Sequence, residues 1–177
     1  MRRGKALVGT HGVGSFGQLM RAAIEVGVAG QALAEAAQFV RTLARPEHEA
    51  HVRRAQEDPL VVQRFGELTV DVRAAQAALG LAARAVTESV LNPSEAAATQ
   101  AAVAVATAKV LAERAALAVT GAMFEVGGAA ATDRAHNLDR HWRNARTLSL
   151  EDPIRWKYQH LGRFTLLGVS PPRHRQI

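Results

Sequence analysis

The residues best suited to do chemistry lie between positions 140 and 146, where three arginines and one histidine surround Trp142. Such side chains cannot build an apolar core, because a buried guanidinium group needs a partner. A guanidinium group can form paired hydrogen bonds with a carboxylate or a phosphate. This segment therefore predicts a site that holds an anion, formed by Arg140, His141, Arg143 and Arg146.

A glycine pair, Gly127-Gly128, precedes this cluster. Glycines let backbone amides approach a phosphate closely, but a glycine pair is also a common end of a helix. Both interpretations stay open from the residues alone. Arg143 and Arg146 have a similar alternative, because they can instead brace the surrounding loop through ion pairs with Asp139, Glu125 or Glu151.

Two further groups of residues have side chains that could take part in chemistry. From the residues alone, Glu151 is an acidic residue that the N-terminus of the following helix can stabilise. His48 and His51 are three residues apart, with Glu47 and Glu49 beside them, but the exposed loop offers no convincing third ligand. We therefore predict no metal site.

Composition favours closely packed helices. Of the 177 residues 48% are apolar, many of them alanine, and only 5% are aromatic. We predict an all-α fold in one domain spanning residues 1–177, with flexible ends at about 1–13 and 171–177. The chain has no cysteine, which excludes thiol chemistry and thiolate metal sites and fits a cytoplasmic location.

The formal charge of +6 raises the question of a nucleic-acid partner. Basic and acidic residues are interleaved, however, and no helix has a one-sided row of lysine and arginine. No run of apolar residues is long enough to cross a membrane. We expect neither a membrane nor a nucleic acid as partner, and rank a nucleic-acid-binding bundle last.

Three long helices should form an up-down bundle. The first should run from about Ser15 to Ala44, and the polar stretch from Pro46 to Asp58 should be a loop. The second should begin with Asp58 as N-cap, and the third at Asn92-Pro93, with Glu95 completing a capping box. Asp152-Pro153 should cap a shorter last helix. The predicted apolar rows are Leu19, Ile24, Val28, Leu33, Ala36 and Val40 in the first helix; Val61, Phe65, Leu68, Val72, Ala75, Leu79, Ala82, Val86 and Val90 in the second; and Val103, Val110, Leu117 and Phe124 in the third.

This order of elements resembles the C-terminal helical domain of the acyl-CoA dehydrogenase superfamily of flavoenzymes. Three motifs carry the resemblance: Gly27-Val28-Ala29 in the first helix, Phe65-Gly66 followed by Gln76 in the second, and Gly127-Gly128 followed by Arg143-Asn144-Ala145-Arg146. Residues 139–147, with Asp152-Pro153, are most similar to the flavin-dependent monooxygenase branch related to dibenzothiophene monooxygenase and the sulfur-acquisition oxidoreductases.

The resemblance implies a flavin cofactor, FAD or FMN, and assigns cofactor contacts to Gly127, Gly128, Arg143, Arg146, Arg45 and Gln76. Glu151 lies near the position where some acyl-CoA dehydrogenases place a glutamate base. The monooxygenase branch tends to have histidine in this segment, whereas Leu148 and Glu151 stand here, which puts hydroxylation chemistry in doubt.

The resemblance also implies what else an active enzyme needs. Members of the superfamily begin with a helical domain and a β-barrel domain, which we expect to be absent from this chain. We therefore expect the isolated chain to be inactive, and to form a dimer or tetramer or to join a separate chain carrying those domains. Two hypotheses follow: a flavin-dependent oxidoreductase module, or a non-catalytic helical scaffold that keeps the oligomer interface.

Overall fold

The computed structural model describes residues 13–172, and no β-strand occurs within that range. Five helices follow one another: α1 Val13–Thr42, α2 Pro59–Leu91, α3 Glu95–Gly127, α4 Asp139–Glu151 and α5 Arg155–Leu167. The predicted all-α class is confirmed. The flexible ends expected at 1–13 and 171–177 fall almost wholly on residues outside the described range, although Pro171 itself is buried.

Helix α3 is the centre of the bundle, because α1, α2, α4 and α5 all pack against it. Helix α2 also touches α1, and α4 packs in the angle between α1 and α3. The predicted up-down arrangement of three long helices is confirmed. None of the helices in the described range is long and apolar enough to cross a membrane.

The start of α2 follows the sequence prediction. The carboxylate of Asp58 accepts a hydrogen bond from the backbone N–H of Leu60 at 2.8 Å, and Pro59 is the first helical residue. An N-cap carboxylate satisfies an amide that has no partner inside the helix, and proline has no such amide to satisfy. The loop before Asp58 contains two short 3₁₀ turns, at residues 48–50 and 55–57.

The start of α3 differs from the prediction by two residues. Ser94, rather than Asn92, is the N-cap, and its Oγ accepts a hydrogen bond from the N–H of Ala97 at 3.1 Å. Glu95 is therefore the first residue of the helix instead of the third, so the predicted capping box was wrong. At the other end α3 stops at Gly127, and Gly128 adopts a left-handed φ of 67°.

Alanine provides much of the core where α1 and α3 meet. Small side chains let two helix axes approach closely, so larger residues are displaced towards the margins of the contact. Two predicted core positions were wrong, because Ile24 of α1 and Val90 near the end of α2 are both more than half exposed. Of the predicted row in α3 only Val110 is buried. The central core contains three predicted residues of α2, Leu68, Val72 and Ala75. The other residues there include Ala22, Ala29, Ala32, Ala112, Ala115, Ala116, Val119 and Ala122.

The segment from 139 to 151 is a helix, not the loop that the arginine-bracing interpretation assumed. Asp152 ends α4, and it is buried beside Lys157 instead of capping α5, which Ile154 precedes. The prediction of an Asp152 N-cap was therefore wrong. The helical geometry of α4 determines which members of the arginine cluster face solvent.

Candidate functional site

Helix α4 divides the predicted anion-binding cluster between two faces. His141, Ala145 and Ser149 are buried at helical spacing, so this side packs on the bundle. Trp142, Arg143 and Arg146 lie on the opposite side and are exposed. The four cations therefore do not form one site, and only two of them face solvent with their charged ends free of the bundle.

Arg140 and His141 bind Glu35 of α1 instead of an external anion. Both carboxylate oxygens of Glu35 accept hydrogen bonds from Arg140 Nη2, at 2.5 and 2.6 Å. His141 Nε2 lies 3.0 Å from Glu35 Oε2, and Gln31 Nε2 donates to Oε1 at 2.9 Å. The inclusion of Arg140 and His141 in the anion site was therefore wrong, because α1 supplies the anion.

These contacts change the acidity of Glu35. Partial burial alone would raise the pKa of its carboxyl group, but hydrogen bonds from Gln31 and Arg140, together with the adjacent His141 ring, outweigh burial and lower the pKa to about 2. Glu35 is thus a permanent anion near neutral pH. It fixes the N-terminal end of α4 to α1 and so sets the direction in which the exposed face of α4 points.

Arg143 lines a pocket of about 310 Å³ at the start of α4, together with Arg134, Asn137 and Asp139. Its Nε lies 3.0 Å from Asp139 Oδ2, and its Nη2 donates to Asn137 Oδ1 at 3.3 Å. A guanidinium group has five N–H donors, so these contacts leave donors for a ligand. The pocket walls carry two positive charges against one negative charge.

Arg146 lies one turn after Arg143 on the same face of α4. Its guanidinium carbon stands 6.0 Å from the centre of the Trp142 ring, at the limit of a cation–π contact. No carboxylate lies within 4 Å of it among residues 13–172. We call Arg134, Arg143 and Arg146 the cation face.

The bracing alternative holds for one arginine only. Arg143 pairs with Asp139, as that interpretation expected. The other two acidic residues bind elsewhere: Glu125 pairs with Arg64 and Glu151 with Arg21. Bracing therefore does not explain Arg146.

Different structural features explain why glycine occupies positions 127 and 128. A Cβ atom on Gly127 would stand 2.7 Å from the Cβ of Ala131 and 3.2 Å from the ring of Phe39, so packing excludes any side chain there. Gly128 is exposed, its φ of 67° favours glycine, and no atom would meet an added Cβ within 4 Å. Of the pair, Gly128 has the open surface that a ligand needs.

The remaining predicted site residues do not converge on the cation face. Arg45 follows α1, Gln76 lies on α2, and both are exposed. Within residues 13–172 no hydrogen bond or ion pair joins either of them to α4. Their assignment as flavin contacts stays a prediction.

Glu151 is the last residue of α4, and more than half of its side chain is exposed. Its Oε2 lies 3.6 Å from Arg21 Nη1, which joins the C-terminal end of α4 to α1. The described residues do not bury this carboxylate, and burial is what would tune a general base. Its catalytic role stays a prediction that these surroundings do not favour.

His48 and His51 lie in the loop before α2, and their rings stand edge to face with centres 6.1 Å apart. They are near a wider depression of about 680 Å³ lined in part by Glu47, Glu49 and Arg64. Within the described part of the chain, no group of three potential ligands has the geometry to hold a metal ion.

Five ionisable residues are buried although the sequence pattern did not predict it. We call them the buried charge cluster: Glu25, Lys109, Glu113, Asp152 and Lys157. The available signal was the presence of Lys109 and Glu113 within the alanine-rich centre of α3. A lysine and a glutamate four residues apart usually form an exposed pair on a helix surface. The spacing alone therefore predicts that Lys109 and Glu113 are exposed, whereas both are buried.

Comparison with known proteins agrees with the geometry of the bundle. The family model described as the C-terminal domain of acyl-CoA dehydrogenase matches residues 19–150. The dibenzothiophene monooxygenase of Rhodococcus erythropolis is 37% identical over 159 residues, which is 87% of this chain and 38% of that protein.

Two solved structures have the same fold. Methanesulfinate monooxygenase MsuC from Pseudomonas fluorescens superposes with a TM-score of 0.87 at 35% identity, covering 90% of this chain and 42% of that one. FMN-bound TdsC from Paenibacillus sp. A11-2 gives a TM-score of 0.86 at 33% identity, covering 90% and 41%. The chain thus spans about two fifths of the length of the relatives it matches. Since the family model matches most of the chain, the protein belongs to the family of acyl-CoA dehydrogenase C-terminal domains.

Proposed function

We propose that this chain is the C-terminal helical bundle of a flavin-dependent monooxygenase, and that its cation face forms one wall of an FMN site. The observation that carries the proposal is the pocket between Arg134 and Arg143, whose walls have an excess of positive charge. FMN carries a terminal phosphate, which guanidinium groups bind through paired hydrogen bonds. The FMN-bound relative supports FMN over FAD.

The residues present fit such a group. Arg143 keeps donors that Asp139 and Asn137 do not use. The exposed backbone at Gly128 can approach a ligand without a side chain in the way. When bound, the flavin supplies the redox chemistry, while the chain's own residues bind and orient it.

Catalysis on this proposal needs more protein than the chain contains. The relatives are more than twice as long, and about three fifths of their length has no counterpart here. We propose that the corresponding segment, in the same or another chain, completes the flavin site and forms the substrate pocket. A chain of 177 residues without cysteine suits the reducing cytoplasm, where we propose that the assembled protein works.

Replacing Arg143 with alanine should weaken FMN binding by about 1.5 to 3 kcal/mol, the contribution of a charge-assisted hydrogen bond. The measurement is a titration of FMN fluorescence against this chain assembled with the segment that corresponds to the rest of its relatives. Arg84→Ala, at an exposed position of α2, is the matched control and should leave affinity unchanged. Equal affinity with and without the Arg143 side chain would remove this arginine from the proposed site.

A second function, a non-catalytic scaffold, rests on a different observation. Phe16, Met20 and Ile24 follow one another at steps of four on α1, and each is about half exposed. Residues four apart lie on one side of a helix, so the three form an apolar stripe. We propose that this stripe is an interface between copies of the chain, in a dimer or a tetramer.

Replacing Ile24 with glutamate should shift the assembly towards monomers, because a charge in an apolar interface loses its hydration. Sedimentation velocity at micromolar concentration measures this directly, with Leu81→Glu on α2 as the control for an exposed leucine outside the stripe. A wild-type chain that sediments as a monomer would contradict the interface. Assembly without any flavin binding would favour the scaffold.

A further inference from the structure

Five ionisable side chains are buried together where α1, α3 and the junction of α4 with α5 meet. Glu25 and Lys109 are fully buried, and Lys157, Asp152 and Glu113 are at most 6% exposed. Their neighbours in the core are largely alanine and valine. Burying a charge is unfavourable unless it is paired and hydrogen-bonded, so the pairing within this cluster decides its stability.

The pairing is incomplete. Lys109 Nζ donates to Glu25 Oε1 at 2.7 Å and to Glu113 Oε2 at 3.0 Å. Lys157 Nζ donates to Asp152 Oδ1 at 3.4 Å. The second oxygens of Glu25 and Asp152 are buried without a hydrogen-bond donor. With all groups ionised, three carboxylates face two ammonium groups, which leaves one negative charge in excess.

Among residues 13–172, the charged groups near the cluster do not remove this excess. Arg21 of α1 pairs with Glu151 at the surface, where solvent screens its charge. Arg146 of α4 acts on Glu113 from an exposed position. On α5, His160 lies one turn after Lys157 and is half buried. A proton on one carboxylate is therefore the simplest way to neutralise the cluster.

Glu25 is the favoured carrier of that proton. Burial has the largest effect and raises the pKa of Glu25. The ion pair with Lys109 lowers this pKa, whereas the negative charges of Glu113 and Asp152 raise it. The resulting pKa is about 7. Burial also raises the pKa of Glu113. Glu25 thus changes charge near neutral pH, unlike an ordinary glutamate.

Helix α5 is the element most easily released from this contact. Lys157 is its one buried residue. Of its large apolar side chains, Leu161 and Phe164 are only partly buried, and Trp156, Leu166 and Leu167 are more than half exposed. Local opening is easiest where few side chains are buried. Helix α5 packs on α3, and its movement would expose Lys157 and its partner Asp152 to water.

We propose that the buried charge cluster is a proton-controlled latch that holds α5 against α3. With a proton on Glu25 the cluster is neutral and α5 stays closed. Loss of the proton leaves an unbalanced buried charge, which opening of α5 relieves by hydration. The latch does not depend on the flavin proposal, because no cation-face residue belongs to the buried charge cluster.

The direction of the pH effect follows from proton binding. Between pH 4.5, the ordinary pKa of a glutamate, and about pH 7, the closed form holds a proton that the open form has lost. The closed form is therefore most favoured below pH 4.5 and loses this advantage as pH rises through 7. If opening restores the ordinary pKa, the population with α5 open should increase about tenfold between pH 6 and pH 8.

Hydrogen exchange of the amides in residues 155–167, corrected for the intrinsic effect of pH on exchange, measures the opening of α5. In the wild type the opening should rise about tenfold from pH 6 to pH 8. Glu25→Gln, which imitates the protonated carboxyl group, should stay closed and show no such rise. Glu35→Gln is the matched control on the same helix and should keep the rise, because the pKa of Glu35 is far below this range.

His160→Gln tests a second group near the cluster that could titrate in this interval, since histidine ordinarily changes charge between pH 5 and 8. The proposal is overturned if this variant, and not Glu25→Gln, abolishes the pH effect, or if the wild type shows none. If Glu25→Gln does not fold, carbon NMR of the carboxyl groups in the wild type decides the matter. A Glu25 carboxyl group that titrates near pH 4.5 contradicts the latch, and one that titrates near pH 7 supports it.

Discussion

Replacing Lys109 with methionine should lower the free energy of unfolding by about 3 to 5 kcal/mol, the typical effect of removing one partner from a buried ion pair. Methionine has a similar length, so little volume is lost. The ammonium group, however, is the donor to both Glu25 and Glu113. Without it, the carboxylates of Glu25 and Glu113 would stay charged and have no partner. Urea unfolding followed by circular dichroism at pH 8, where both carboxylates carry the most charge, measures the loss.

The control lies on the same helix. Arg114 of α3 is exposed, so Arg114→Met should change stability by no more than about 0.5 kcal/mol. Adding Glu25→Gln to Lys109→Met should restore part of the loss, because one of the two stranded charges disappears. A loss below about 1 kcal/mol for Lys109→Met would mean that water already reaches the cluster in the folded chain.

Replacing Gly127 with alanine should destabilise the bundle by about 3 kcal/mol, at the upper end of the usual range for overpacking. The new Cβ would overlap the Cβ of Ala131, which is close to the backbone and cannot rotate away, and would press on the ring of Phe39. Relief requires a shift of the turn that leads into α4. Thermal unfolding by circular dichroism provides the measurement.

Gly121 provides the comparison within α3, because an added Cβ there would meet no atom within 4 Å. Gly121→Ala should stabilise the chain by about 0.5 to 1 kcal/mol, the usual advantage of alanine over glycine in a helix. If Gly127→Ala is also neutral or stabilising, packing does not explain the glycine.

The local signals in the sequence predicted the helices well because each depends on neighbouring residues only. Asp58-Pro59 starts α2, the Asn92-Pro93 turn separates α2 from α3, and Gly127 ends α3. The apolar period of α2 identified its buried side, including Leu68. The resemblance to the family is confirmed by the match over residues 19–150.

The partners of buried charges could not be predicted in this way. Once residues 139–151 are known to be helical, their spacing shows that Arg140, His141 and Arg143 lie on different sides of the helix. Without that knowledge the spacing says nothing about their directions. The interaction of Arg140 with Glu35 spans 105 positions, and the pair of Lys109 with Glu25 spans 84. Periodicity identifies the face of a helix on which a residue lies, but not which distant charge that face meets.

The alanine-rich contact between α1 and α3 also has a thermodynamic consequence. Alanine has no side-chain rotamers to lose, so burying it carries no side-chain entropy penalty. Each buried methyl group also removes less apolar surface from water than a leucine would, and apolar surface is what raises the heat capacity on unfolding. The stability of this bundle should therefore change more gently with temperature than that of a leucine-rich bundle of equal length.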